Sequence, residues 1–355
     1  MRRKTVTIRD IAVRAGLSPA SISMILNRRS PDRFNRETVE KVFRLASEMG
    51  YVSRSGKTFS PYRPQGRLIY IICPSLANPF YTSIIQGVET AALKKDFITA
   101  VRTTYWNTDN EELIMEQASK ANVAGVIFAM IPQQPELAYN LSRTLPVVAI
   151  GDKRGDLNFS TVDMNNFAAG QIMARHLLGL GHKNIAFLST ALSEQHTARL
   201  RRWQGLKETV EAAKGHCLLF TKDAPAKGKS PEYNTGYELA DTCLAKEPQV
   251  TAFVCVNDMV AYGAYDALLA RGLQIPKDKS IAGFDNIFPS RLSGLSLTSI
   301  DNYLPECGKS AFSLLRKEIK AFEQQGSFDA ITHLEYKCRL ITRRSTAQAP
   351  KTGKK

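Results

Sequence analysis

The chain has 355 residues, with 48 Lys+Arg against 33 Asp+Glu and a formal net charge of +15. That length suits two or three domains of roughly 100–200 residues each, and 43% hydrophobic with 23% charged residues excludes global disorder. The basic surplus is confined to the ends: residues 1–67 hold 15 basic and 5 acidic side chains, residues 68–342 hold 28 of each, and residues 343–355 hold 5 basic and no acidic ones.

No apolar run approaches the ~18 residues of a transmembrane helix. The start, Met1-Arg2-Arg3-Lys4, lacks the apolar core of a signal peptide, so a cytoplasmic location is expected. Cys73, Cys217, Cys243, Cys255, Cys307 and Cys338 show no Cys-x-x-Cys spacing and read as reduced, small apolar residues.

The basic N-terminal segment carries helix signals in close succession. Thr7-Ile8-Arg9-Asp10 has the form of a capping box with Asp in the Glu position. Ile8, Ile11, Ala12 and Ala15 follow at helical spacing, and Gly16 breaks the run. Ser18-Pro19 restarts it as N-cap and first helical residue, with Ile22, Ile25 and Leu26 on the inner face. Two short helices around a Gly-containing turn form a helix-turn-helix. A third helix is expected from Asn35 to Gly50, with Val39, Val42, Phe43, Ala46 and Met49 as its apolar stripe.

A second helix lying in the major groove would present Pro19, Ala20, Ser23, Met24 and Asn27. These suit thymine methyls and single hydrogen bonds; no Arg on the helix can read guanine. Ser18, Ser21 and Asn27, with Arg28, Arg29 and Arg33 beyond, suit phosphates.

The run Thr-Val-Thr-Ile-Arg-Asp-Ile-Ala-x-x-Ala-Gly-Leu-Ser-x-Ala-Ser-Ile-Ser-x-x-Leu-Asn, from Thr5 to Asn27, resembles the headpiece of the lactose/galactose repressor family. Glu37-Thr38-x-Glu-Lys-Val and Glu48-Met49-Gly50-Tyr51 are similar to that family's third helix. The expected DNA interface also takes in Thr7, Ile8 and Arg9 at its start, and Asn35, Tyr51 and Arg54.

Residues 52–67 are rich in Ser, Gly, Pro and basic residues. They read either as a flexible basic tether or as the hinge helix that the resemblance implies, which wedges a leucine into the minor groove. The family's Pro-Asn…Ala-Arg-x-Leu pattern is missing: Ser53, Arg54 and Ser60 stand at its Pro, Asn and Leu positions. Phe59 or Tyr62 are the available wedges.

The neutral body alternates apolar runs with helical patterns. Strands are expected at 68–73, 97–101, 123–129, 146–150, 185–189, 218–220, 252–256 and 280–284, and helices from Asn78, at 111–121, 167–179 and 201–213. Alternation of this kind implies parallel sheets with right-handed crossovers, in two similar halves. Ligands of open α/β sheets bind beyond the carboxyl ends of strands.

Six motifs lie there or at helix starts: Asn78-Pro79-Phe80-Tyr81, Gly151-Asp152-Lys153, Val162-Asp163-x-Asn165, Arg202-Trp203-Gln204-Gly205-Leu206, Asn257-Asp258-x-x-Ala261 and Gly283-Phe284-Asp285-Asn286. In the same order, they resemble the periplasmic-binding-protein-like core of the same family. That resemblance implies effector hydrogen bonds from Arg202, Asn257 and Asp285, aromatic lining from Phe80 and Tyr81, and an acidic contact from Asp152. A bidentate Arg, an amide, a carboxylate and aromatic rings suit a polyhydroxylated ring. Asp258 is expected to cap a helix, Asp163 and Asn165 to hold a crossover, His196 to lie in a surface loop, and Trp106 and Trp203 to pack.

Gly-x-Ser-x-Gly, His-Glu-x-x-His and Walker signatures are absent, and the histidines have no metal spacing. No enzyme activity, cofactor or metal is expected. The fold class is α/β: a two-subdomain periplasmic-binding-protein-like core, with parallel sheets and Rossmann-like halves, behind an N-terminal all-α helix-turn-helix headpiece. The expected divisions are a headpiece at 1–51, a linker at 52–67, one subdomain at 68–164 plus about 296–325, the other at 165–295 plus about 326–342, and a disordered basic tail at 343–355. The expected protein is a homodimeric, ligand-responsive repressor that binds a palindromic DNA operator and senses a sugar or sugar derivative. An activator of the same fold or a stand-alone sugar-binding protein are the alternatives.

Overall fold

A computed structural model describes residues 6–27, 34–53, 66–151, 157–192, 197–222, 231–325 and 330–350. Arg28, Arg33, Arg54, Asp152 and His196, and the choice between tether and hinge helix, lie outside the described residues.

The headpiece has three helices, α1 (Ile8–Ala15), α2 (Pro19–Leu26) and α3 (Arg36–Glu48). The expected capping box forms: Asp10 N–H donates to Thr7 Oγ1, and Thr7 N–H donates to the Asp10 carboxylate at 2.7 Å. Gly16 closes α1 at φ 72°, in the left-handed region that favours glycine. Ser18 Oγ accepts from Ser21 N–H at 3.0 Å and Asn35 Oδ1 from Thr38 N–H at 2.8 Å, so both remaining helix starts are capped as read. Ile11, Ile22, Ile25, Val42, Phe43 and Ala46 are buried together between the three helices.

The body holds two six-stranded sheets. The first comprises β1 (Leu68–Cys73), β2 (Ile98–Thr103), β3 (Gly125–Phe128), β4 (Val147–Ile150), β5 (Ser160–Met164) and β11 (His333–Tyr336), in the order β11-β5-β4-β3-β1-β2 and parallel throughout. The second comprises β6 (Asn184–Thr190), β7 (His216–Lys222), β8 (Ala252–Cys255), β9 (Ser280–Asp285), β10 (Thr298–Asp301) and β12 (Arg339–Ile341), in the order β12-β10-β9-β8-β6-β7. Only the edge pair β10–β12 is antiparallel. The central strands β3, β4, β8 and β9 are buried along their whole length, which is why they read as continuous apolar runs. Helices α4 (Pro79–Leu93), α5 (Thr108–Lys120), α6 (Pro135–Ser142) and α11 (Leu304–Gln325) cover the first sheet. Helices α7 (Asn166–Gly179), α8 (Thr197–Ala212), α9 (Pro231–Lys246) and α10 (Asp258–Ala270) cover the second.

The chain crosses between the halves three times, after β5, after β10 and between β11 and β12. Two expected assignments therefore change. Residues 298–301 pair in the second sheet rather than the first, and residues 333–336 in the first rather than the second. Asn165 sits at the first crossing as expected: its Oδ1 caps α7 at Ala168 N–H (2.9 Å), and its Nδ2 donates to Glu335 at 3.1 Å.

The expected disordered tail is ordered as far as residue 350. Its polar groups are stitched to the second half. Arg343 donates to Leu297 O at 2.6 Å and to Asn286 Oδ1 at 2.5 Å; Ser345 Oγ donates to Ile281 O at 2.6 Å; and Ala349 N–H donates to Leu180 O at 2.8 Å. His182, fully buried, meets Ala347 O at 3.0 Å. Each such bond contributes roughly 1 kcal/mol net, so truncation after residue 342 is expected to lower the unfolding free energy by about 3–5 kcal/mol. Urea denaturation checks this; an unchanged midpoint would show that the strap adds nothing.

Candidate functional site

The headpiece presents α2 much as its spacing implies. Ser18, Pro19, Ala20 and Asn27 are exposed, with Ser21, Ser23 and Met24 partly so. Thr7 and Arg9 are exposed at the start of α1, and Ile8 is partly packed against the headpiece core. Asn27 Nδ2 donates to Ser23 O at 2.9 Å, which leaves its carbonyl oxygen for an outside donor. Tyr51 differs from the expected contact role: its side chain is buried in the headpiece core, because the chain turns back over α3 after Gly50. The exposed side of α2 is small and uncharged, a shape that fits a groove without repelling it.

A second site lies between the two sheets. A cleft with a water-accessible volume of about 130 Å³ is lined from the first half by Asn78, Phe80, Tyr81, Trp106, Met130 and Ile131, and from the second by Thr197, Arg199, Arg202, Glu232, Asn257 and Asp285. Five of the six expected effector residues meet there, and Gly151, the neighbour of Asp152, lines it too.

Their roles are more specific than expected. Arg202 is buried; its Nε donates to Asn166 Oδ1 at 2.8 Å, Nη1 to Val256 O at 2.7 Å, and Nη2 to Asp285 Oδ1 at 3.3 Å. Its guanidinium also lies 4.9 Å above the Phe284 ring. Asp285, also buried, accepts a further bond from Asn302 Nδ2 at 3.1 Å. Burial pushes its carboxyl upward, while Arg202 and Asn302 draw it back. Its φ of 110° is outside the regions that side chains favour.

Asn257, not Asp258, caps α10: its Oδ1 accepts from Val260 N–H at 2.9 Å. The expected cap, Asp258, instead turns inward. Its carboxylate takes bonds from Ser290 Oγ and Ser299 Oγ, both at 2.6 Å, and from Ile287 N–H at 3.1 Å, while burial raises it to about 6.

Several lining residues escaped sequence reasoning, and four of them matter most to the cleft's chemistry. Glu232, in the first turn of α9, accepts Asn78 Nδ2 at 2.6 Å on Oε2 and Asn257 Nδ2 at 2.8 Å on Oε1. One carboxylate thus joins the capping asparagines of α4 and α10 across the cleft. Arg199 and Thr197 enter because α8 starts four residues before the expected Arg201. Trp106 was expected to pack; it is 39% exposed, edge-on to Tyr81 at 6.5 Å and 5.8 Å from the Arg199 guanidinium. Trp203 does pack, 5.6 Å from Phe187.

The sequence model of a family described as "Periplasmic binding proteins and sugar binding domain of LacI family" matches residues 67–343. The chain belongs to the LacI family. It is a DNA-binding transcriptional regulator, with the helix-turn-helix ahead of the LacI-family core. It is 29% identical over 321 residues to an "HTH-type transcriptional repressor PurR" of Histophilus somni, covering 88% of this chain and 92% of that one. A repressor of the same description from Erwinia tasmaniensis is 28% identical and covers 97% of this chain and 98% of its own.

Among solved structures, a "transcriptional regulator CelR-cellobiose complex" matches with a TM-score of 0.68 at 22% identity, covering 96% of this chain and 99% of that one. A LacI-family regulator of Enterococcus faecium with bound ribose gives 0.68 at 23% identity over 79% of this chain and 99% of its own. These two likenesses are likenesses of fold. No helix among the described residues is long and apolar enough to cross a membrane.

Proposed function

We propose that the protein is a ligand-responsive repressor that binds a specific operator through its headpiece and a sugar or sugar derivative in the cleft between its halves. The observation that carries this reading is the cleft itself: aromatic and polar side chains from both halves meet in one cavity, and the Glu232–Asn78 bond already bridges it. A small molecule alters DNA affinity only by favouring one arrangement of the halves over another. Contact with both halves is the simplest way to do so. The curated relatives' names support the repressor role, and the ligands of the two structural neighbours support a carbohydrate.

Two headpieces on a homodimer would read the two halves of a palindromic operator. The basic surplus of residues 1–67 supplies the phosphate attraction. With an operator duplex selected in vitro, DNA affinity is expected to fall by about a thousandfold between 50 and 200 mM salt, as several phosphate contacts require. Deletion of residues 1–67 is expected to abolish binding to that duplex and leave ligand-induced stabilisation intact. Fluorescence anisotropy and thermal melting check both. Specific binding by the truncated protein would remove the headpiece assignment.

A further inference from the structure

Most of the cleft's polar groups are committed to one another. Arg202 spends three nitrogens on Asn166, Val256 and Asp285. Asn78 and Asn257 each cap a helix with the side-chain oxygen and hold Glu232 with the side-chain nitrogen. A neutral polyol could add hydrogen bonds to the Glu232 and Asp285 oxygens, but it would meet an arginine and two amides already engaged with neighbours.

Arg199 is the exception. Among the described residues its guanidinium makes no hydrogen bond or salt bridge, and its one ring contact is Trp106. It nevertheless lines the cleft. It also stands in the first turn of the sixteen-residue α8, a turn that contains no acidic residue. A cation there opposes the helix dipole, and among the described residues no carboxylate lies within ion-pair distance of it to repay its desolvation. Among the described residues, the titratable groups facing it are Tyr81, Glu232, Arg202 and Asp285. Burial lowers the Arg199 guanidinium from its usual value, and the opposite charge of Glu232 only partly offsets this. Glu232 itself is held by two amides and not by Arg199. Among the described residues the N–H donors of its fork are therefore open to a planar or tetrahedral oxyanion. Beside Arg199 stand the apolar walls of Phe80, Trp106, Met130 and Ile131, suited to the face of a ring.

We propose that the ligand is an acidic polyol, a sugar acid or a sugar phosphate, whose oxyanion pairs with Arg199 while its ring lies against Phe80 and Trp106. The proposal rests on the sensor reading above and adds the chemical class of the ligand. It makes Arg199 the residue that separates acidic from neutral sugars.

The test uses the full-length protein in thermal melting and calorimetry. The probes are D-gluconate, D-glucuronate, D-galacturonate and the 6-phosphates of D-glucose and D-fructose, each beside its neutral parent sugar, with hypoxanthine as a neutral planar ring. At least one acid is expected to bind about ten- to hundredfold more tightly than its parent, the strength of a charge-assisted bond. Whether carboxylates or phosphates carry that preference tells the two sources apart. Arg199→Gln is expected to erase the preference and Arg199→Lys to keep part of it. Equal binding of acid and parent, a preference that survives in Arg199→Gln, or stabilisation by no acid would overturn the proposal. Stabilisation by a neutral sugar in that last case leaves the sensor reading standing, whereas stabilisation by hypoxanthine alone, or no response to any probe, overturns both.

Discussion

Replacing Arg202 with methionine is expected to lower the unfolding free energy by about 3–5 kcal/mol, the usual cost of removing one partner of a buried ion pair. Methionine fills much of the same volume, so little of the loss comes from a cavity. The loss comes from what is left behind: among the described residues the buried Asp285 carboxylate keeps Asn302 as its one side-chain hydrogen-bond partner, and Asn166 Oδ1 and Val256 O each lose a donor. The pH dependence has a definite sign. Burial already raises the Asp285 carboxyl, and removing Arg202 takes away the largest influence that opposes that rise. A group with a raised folded pKa contributes stability below its unfolded value, about 4, and loses it as pH rises through the folded value. The deficit of Arg202→Met is therefore greatest at neutral pH and shrinks toward pH 4. Adding Asp285→Asn removes the stranded charge while keeping a side chain of the same shape at this positive φ. The double variant is expected to recover about 1–2 kcal/mol at pH 7. Strict additivity of the two single changes would show that the pair is not coupled.

That pair also shows how far residue types lead without geometry. Arg202, Asn257 and Asp285 read as a hydrogen-bonding set for a ligand, and the fold does bring them to one cleft. Residue type alone could not tell a donor aimed at a ligand from one aimed at a neighbour. Arg202 and Asp285 face each other, and Asn257 caps α10. Glu232 was invisible because α9 announces itself only through Leu239, Ala240 and Cys243, well past the site. Arg199 was hidden by placing the start of α8 too late, since Thr197-Ala198-Arg199 has no apolar periodicity.

The missed strands have a common cause. The first strands buried on both faces were legible as runs of Ile, Val and Phe. Ser160–Met164, Thr298–Asp301 and His333–Tyr336 carry Ser, Thr, Asp or Glu at every second or third place. Those polar residues bond within each half: Thr161 Oγ1 meets Asp163 and His333 at the β5–β11 pair, and Ser299 Oγ donates to Asp258 of α10. Hydrophobic periodicity cannot find a strand whose inner face is a hydrogen-bond network. The headpiece was read almost completely, since caps, turn and apolar stripe are all local signals.

Gly205→Ala is expected to cost more than about 3 kcal/mol, at the upper end for forced overpacking. A Cβ on Gly205 would stand 2.1 Å from the backbone oxygen of Phe167, and one on Gly170 would stand 2.2 Å from the backbone oxygen of Arg202. Helices α7 and α8 thus cross glycine against backbone in both directions, and neither obstacle is a side chain that can swing away. Relief requires α8 to move off α7, which carries Arg199 and Arg202 with it. The same close approach recurs where α9 meets α10, at Gly236 and Gly263, and where α4 meets α11, at Gly87 and Gly308. Gly179 is the internal control. It ends α7 with nothing within 4 Å of an added Cβ, so Gly179→Ala is expected to stabilise by about 0.5–1 kcal/mol through the helix preference for alanine. Urea denaturation of both variants at pH 7 reads the difference in sign. In Gly205→Ala, any ligand identified for the wild type is expected to bind at least tenfold more weakly, because a displacement of ~1 Å spoils hydrogen-bond geometry. Wild-type stability in Gly205→Ala would mean that the crossing is looser than these distances, and α8 would then no longer be the rigid carrier of the cleft's two arginines.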